Sequence, residues 1–120
     1  MLLTFNLKGQ CLSGKNQMQV DPRTGRHYPT KRFAAWRDEQ VMKCKRPSYQ
    51  PIGDLLSAKV VFTHADKRRR DVPGMLDALC HVLERAGVVK DDSLIVNWDV
   101  QTNLPPSKAM AGVQIRLETL

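Results

Sequence analysis

The chain has 120 residues, 42% of them hydrophobic and 26% charged, the composition of a globular domain rather than a disordered tail or a fibre. A formal net charge of +7 favours a polyanionic partner, nucleic acid first, and no apolar run approaches the ~20 residues of a bilayer span. Three cysteines with no CxxC pair, and histidines outside zinc-finger spacing, argue against a disulfide framework or a structural zinc and fit a cytoplasmic setting.

The length fits one domain over residues 1–120, large enough to bury about two thirds of its unfolded surface. The opening residues alternate: Leu3, Phe5 and Leu7 against Thr4, Asn6 and Lys8. That is a strand with one buried face, and it lacks the basic start and apolar block of a signal peptide. A long segment rich in Gly, Pro, Lys and Arg follows, from Gly9 to about Pro29, with a hairpin turn at "DPRTGRHY". Loops of this length inside a small domain commonly carry function.

From Thr30, a residue suited to cap a helix, "TKRFAAWRDEQVMKCK" has helical spacing. Phe33, Trp36, Val41 and Cys44 form its apolar stripe, with Lys31, Arg32, Arg37 and Lys43 expected outside. Two prolines in "RPSYQPIGD" end it, and "LLSAKVVFTHA" reads as a strand centred on Val60–Phe62. A second helix is expected to begin at Pro73, because proline suits the first helical position. It buries Leu76, Leu79, Cys80, Leu83 and Ala86, and Gly87 ends it as a left-handed cap. "SLIVNWDVQT" and "VQIRLETL" are then strands, the last with Val113, Ile115 and Leu117 inward. The expected fold class is α/β (mixed α+β), a small mixed sheet with two main helices in the order β-loop-α-β-α-β-β.

Charge is unevenly spread. Residues 1–50 hold ten Lys or Arg against three Asp or Glu, while residues 51–120 hold nine of each. Lys67, Arg68, Arg69 and Arg70 stand directly before Asp71, and Asp91–Asp92 follow the second helix. Arginines bind phosphate through paired, charge-assisted hydrogen bonds. Clustered aspartates suit Mg²⁺, which prefers hard oxygen ligands and can activate water beside a phosphodiester. A helix of about fourteen residues is ~21 Å long, so Asp71 and Asp91–Asp92 meet only if the chain folds back or a second subunit supplies one of them. The plain alternatives are a solvated charge run, an Asp91–Asp92 turn, and an exposed Asp77–His81 pair one helical turn apart.

The segment "DKRRRDVPGMLDALCHVLERAGVVKDDSLIV" resembles the core motif of the RusA family of Holliday junction resolvases, which prophages often encode. That motif reads Arg-Arg-Asp-x-Asp-Asn, then a lysine and a helix, then Ala-Gly and Asp-Asp. Arg69, Arg70, Asp71, Leu83, Ala86, Gly87, Asp91 and Asp92 match it. The Gly14–Asn16 loop, the Gly25–Tyr28 turn and the "WRDEQ" helix agree more loosely. The resemblance implies a homodimer that binds four-way DNA junctions and nicks two strands, in recombination and repair, with Mg²⁺ held by Asp71 and Asp92 and with Asp91 adjoining. Two positions depart: the family's second aspartate is Pro73 here, and its lysine is Asp77. On this reading the carboxylate has moved one turn along the helix face to Asp77, with His81 a further turn on to orient it or move a proton. DNA contacts are expected at Lys67, Arg68, Arg69, Arg70, Lys15, Asn16, Arg23 and Arg26. A junction binder with little catalysis, and a basic nucleic-acid-binding domain without junction preference, stay open as alternatives that metal-dependent nicking separates.

Overall fold

The computed structural model describes residues 1–14 and 18–120. Its elements are β1 (Leu2–Lys8), β2 (Met18–Val20), β3 (His27–Pro29), α1 (Lys31–Cys44), β4 (Leu56–Thr63), α2 (Val72–Arg85), a 3-10 turn (Asp92–Leu94), β5 (Ile95–Asn103) and β6 (Gly112–Thr119). The expected α/β class and strand-helix order hold. The hairpin expected at "DPRTGRHY" is present, with β2 and β3 as its short antiparallel strands. There the Asp21 N–H donates to the Arg26 carbonyl and Gly25 takes a φ of 71°.

Four strands make one mixed sheet in the order β1-β6-β4-β5. β6 runs antiparallel to both β1 and β4, and β4 runs parallel to β5. Parallel neighbours need a crossover, and α2 supplies it. The pleat puts Leu7, Val113, Ile115, Leu117, Ala58, Val60 and Phe62 on one face, where they share a core with Val41 and Cys44 of α1 and Met75, Leu79, Val82 and Leu83 of α2. Each large side chain buried there contributes about 1.5–3 kcal/mol. Gly112 lies opposite Lys8 in the β1–β6 ladder, and a Cβ there would strike the Leu7 carbonyl oxygen at 2.5 Å.

The helix ends follow local chemistry. The Thr30 hydroxyl accepts from the Phe33 N–H at 3.2 Å, as the sequence predicts. α2 begins at Val72, one residue before the expected Pro73, because the Asp71 carboxylate takes the cap and leaves proline the second helical position. Gly87, with φ 74°, lets the chain turn out of the helix. In α1 the stripe holds, but Gln40 is buried with it. The Arg37 side chain, expected outside, is only 14% exposed and pairs with Asp38 at 3.1 Å. Cys11, Cys44 and Cys80 are free and buried. Among the described residues no helix is long and apolar enough to cross a membrane.

Candidate metal centre and nucleic-acid interface

α2 separates the two acidic segments. At its start, Asp71 Oδ1 accepts from the Gly74 N–H at 3.3 Å, and Oδ2 accepts from the Ser13 hydroxyl at 3.4 Å. Gly74 allows this, since a Cβ there would collide with both the Ser13 hydroxyl and the Asp71 carboxylate. At the other end, Glu84 Oε1 accepts from the Asp92 N–H at 2.9 Å, which pins the Asp91–Asp92 turn against the last turn of the helix. Asp71 and Glu84 are thirteen residues apart, about 20 Å along the axis. Within one chain, α2 therefore holds Asp71 and Asp92 apart.

What does gather at the far end is a three-carboxylate group that sequence reasoning missed in part. One oxygen each of Glu84, Asp91 and Asp92 lie within 4.8 Å of one another. Burial, then the neighbouring charges of Glu84 and Asp91, hold the Asp92 carboxyl above its ordinary pKa. The Ser93 N–H, donating to Asp91 Oδ1 at 2.8 Å, holds Asp91 below its own. Burial, with the negative charge of Asp92, Asp77 and Glu84 behind it, pushes the Cys80 thiol up to about 12, so it stays protonated and unreactive. Each carboxylate keeps a second oxygen, and a divalent cation would relieve the crowding of like charge.

Asp77, His81, Glu84 and Asp92 line one cleft of about 470 Å³. Its other residues include Arg37 and Arg85, with Phe33 and Pro29 as apolar wall. Asp77 and His81 thus stand in the same cleft as Asp92, while Asp71 lies outside it. The exposed Asp77–His81 pair of the plain reading forms no hydrogen bond or ion pair among the described residues.

The cation run divides in two. Arg70 is turned inward, its side chain 17% exposed, donating to Asp66 at 2.9 Å, to the Arg68 carbonyl at 2.9 Å and to Gln10 Oε1 at 3.3 Å. Gln10 Oε1 also accepts from the Ala65 N–H at 2.7 Å, and its amide nitrogen lies 3.3 Å from His64 Nδ1. Burial, then the Arg70 charge, lowers the His64 pKa. Arg68 pairs loosely with Asp66 at 3.7 Å. Lys67 and Arg69 are exposed and form no ion pair among the described residues. Arg69 and Arg70 border Asp71 in a second hollow. Arg23 and Arg26 project from the hairpin turn, both exposed, and Lys15 and Asn16 lie outside the described residues.

No family model matches the chain. It is 28% identical over 107 residues to the crossover junction endodeoxyribonuclease RusA of Aquifex aeolicus (strain VF5), a match covering 86% of this chain and 81% of that protein. The chain is thus similar to a RusA resolvase over most of its length, as its motif leads one to expect. Within the RusA-like motif, the matched Asp71 and Asp92 now have places: one caps α2 and the other closes it. The two departures have places as well. Pro73 is exposed in the first turn, and Asp77 faces the cleft that Asp92 shares. Glu84 carried only a weak sequence signal, since a glutamate beside Arg85 reads as an ordinary solvated pair.

Proposed function

We propose that this protein is a structure-selective endodeoxyribonuclease that resolves Holliday junctions by Mg²⁺-dependent paired nicking, as a cytoplasmic homodimer. The observation that carries the reading is the meeting of Glu84, Asp91 and Asp92 oxygens at the end of α2. The name of the Aquifex relative supports the reaction class, and the exposed cations support DNA as substrate.

The donor set fits a hard divalent ion: all oxygen, crowded, and partly exposed, leaving room for the waters that Mg²⁺ keeps. Mg²⁺ at such a site supplies activated water and neutralises charge on the cleaved phosphate. Glu84, Asp91 and Asp92 would hold the ion, and Asp77 lines the cleft that Glu84 and Asp92 share. His81, one turn from Asp77 and in the same cleft, is the side chain placed to pass a proton. Lys67, Arg69, Arg23 and Arg26 draw in and fix the backbone phosphates.

Asp71 joins through the partner subunit. A two-fold axis beside α2 would set two copies of the helix antiparallel, bringing the start of each to the end of the other. Two features of the chain support this arrangement. β5 is an open edge of the sheet, and unpaired edges invite pairing. On the helix-bearing face of that edge, Trp98 lies in register with Ala58 yet stays 37% exposed, next to Val96 at 48%.

A second reading, a junction-binding protein with little catalysis, is favoured by Pro73 standing where the RusA motif has an aspartate. The deciding experiment is cleavage of a synthetic four-way junction with and without Mg²⁺. Paired nicks that need the metal support the nuclease. Tight junction binding with no cleavage at any Mg²⁺ concentration supports the second reading.

A further inference from the structure

The only buried side-chain polar atom without a partner among the described residues is Gln40 Oε1. Gln40 is 2% exposed, and a buried unpaired acceptor costs stability, so its presence needs a reason. It lines a cleft of about 700 Å³ between the end of β1 and α1. The same cleft is lined by Trp36 and by three cations, Lys8, Arg32 and Lys43. Glu39 also borders it but is paired with Lys43 at 3.2 Å, so the lining keeps a positive balance. At Gln10, Leu12 and Arg32 this cleft adjoins the hollow that holds Arg68, Arg69, Arg70 and Asp71.

We propose that this cleft is a subsite for one unpaired nucleotide of the bound DNA, next to the strand held at Asp71. Trp36 stacks on the base, the Gln40 amide turns about its terminal torsion so that Oε1, buried in the unbound protein, accepts an N–H from the base edge, and Lys8, Arg32 and Lys43 hold the flanking phosphates. An aromatic platform with surrounding cations is the chemistry that binds single-stranded nucleic acid. An amide acceptor that stays unpaired until a base arrives adds a preference for bases that offer a donor there. The inference rests on the DNA-processing reading above and adds to it the residues that would recognise a base near the cut. It also separates Gln40 from an ordinary core residue. Replacement by methionine, of similar shape and without the acceptor, should leave the fold as stable or more stable while weakening the ligand.

The test is fluorescence anisotropy with a labelled single-stranded 12-mer, its duplex and a four-way junction, together with thermal melting. We expect Gln40→Met and Trp36→Ala each to weaken single-strand binding by about fivefold or more, the low end for loss of one stacked base. Duplex affinity should change less than twofold, and Gln40→Met should melt no lower than the parent. Gln40→Met binding the single strand like the parent overturns the proposal. So does a parent that binds the junction but not the single strand. A parent that binds none of the three overturns the DNA reading together with the subsite. If Gln40→Met fails to fold, 2-aminopurine in the single strand decides. Quenching on binding the parent, lost in Trp36→Ala, supports stacking, and unchanged emission refutes it.

Discussion

Replacing Arg70 with alanine should cost stability and leave the salt response of DNA binding alone, whereas Arg69→Ala should do the reverse. The Arg70 guanidinium is largely withdrawn from water, donating to the Arg68 carbonyl and to Gln10 Oε1. A hydrogen bond from a charged donor is worth about 1.5–3 kcal/mol when buried. Because the first is exposed and the second only part-buried, about 0.5–1 kcal/mol each is the sounder figure, or ~1–2 kcal/mol together. The exposed Asp66 partner adds nothing to that sum, since water already solvates it. For a chain of this size, ~1–2 kcal/mol lowers Tm by about 4–8 °C. Arg69 forms no ion pair among the described residues, so its removal should leave Tm unchanged. If it touches one phosphate, its loss flattens the slope of log affinity against log salt by ~0.9. Over a fourfold salt increase that spares about 3.5-fold of the affinity loss. Calorimetric melting and anisotropy titrations at several salt concentrations read both quantities. An Arg70→Ala variant that melts like the parent and flattens the slope would show that the inward pairing does not hold Arg70 and that phosphate does.

Asp77→Asn and Asp92→Asn should each abolish Mg²⁺-dependent junction cleavage while binding stays within about twofold; a cleaving Asp77→Asn would remove Asp77 from the site. Glu84→Gln should lower Mg²⁺ affinity about tenfold or more, measured by calorimetric titration. The pH sign is set by Asp92. Its raised pKa keeps the proton on to a higher pH than a free aspartate, and the proton must leave before a cation can be held. Metal binding should therefore rise with pH through a point above that of a free aspartate, and Glu84→Gln should move that rise to lower pH. Gly87→Ala should destabilise by about 1 kcal/mol, read by denaturant unfolding, because φ is 74° there.

What the sequence made legible was local. The alternation of Leu3, Phe5 and Leu7, the Thr30 cap and the Gly87 turn all depend on residues a few positions apart, and each appears as read. What it concealed was non-local. Arg70 is drawn inward by Gln10, sixty residues earlier, so a run of four cations could not show which of them faces solvent. Glu84 joins the acidic group only because the turn returns Asp92 to it. The place of β6 between β1 and β4 depends on pairings that span most of the chain. Gln40 sits among apolar neighbours at helical spacing, a signal that was present but outweighed by its polarity.

In the proposed dimer the metal-dependent cut is made at a site shared by two chains, with Asp71 from one and Asp92 from the other. The most direct measurement mixes two variants expected to be inactive alone, Asp71→Asn and Asp92→Asn, and assays a four-way junction with Mg²⁺. In a mixed dimer one shared site keeps both aspartates while the other has neither. The mixture should regain nicking of a single strand per junction, at up to about half the proportion of dimers that form mixed. A mixture as inactive as its components, with mixed dimers verified by mass, would contradict the shared site and return the two aspartates to separate roles within one chain.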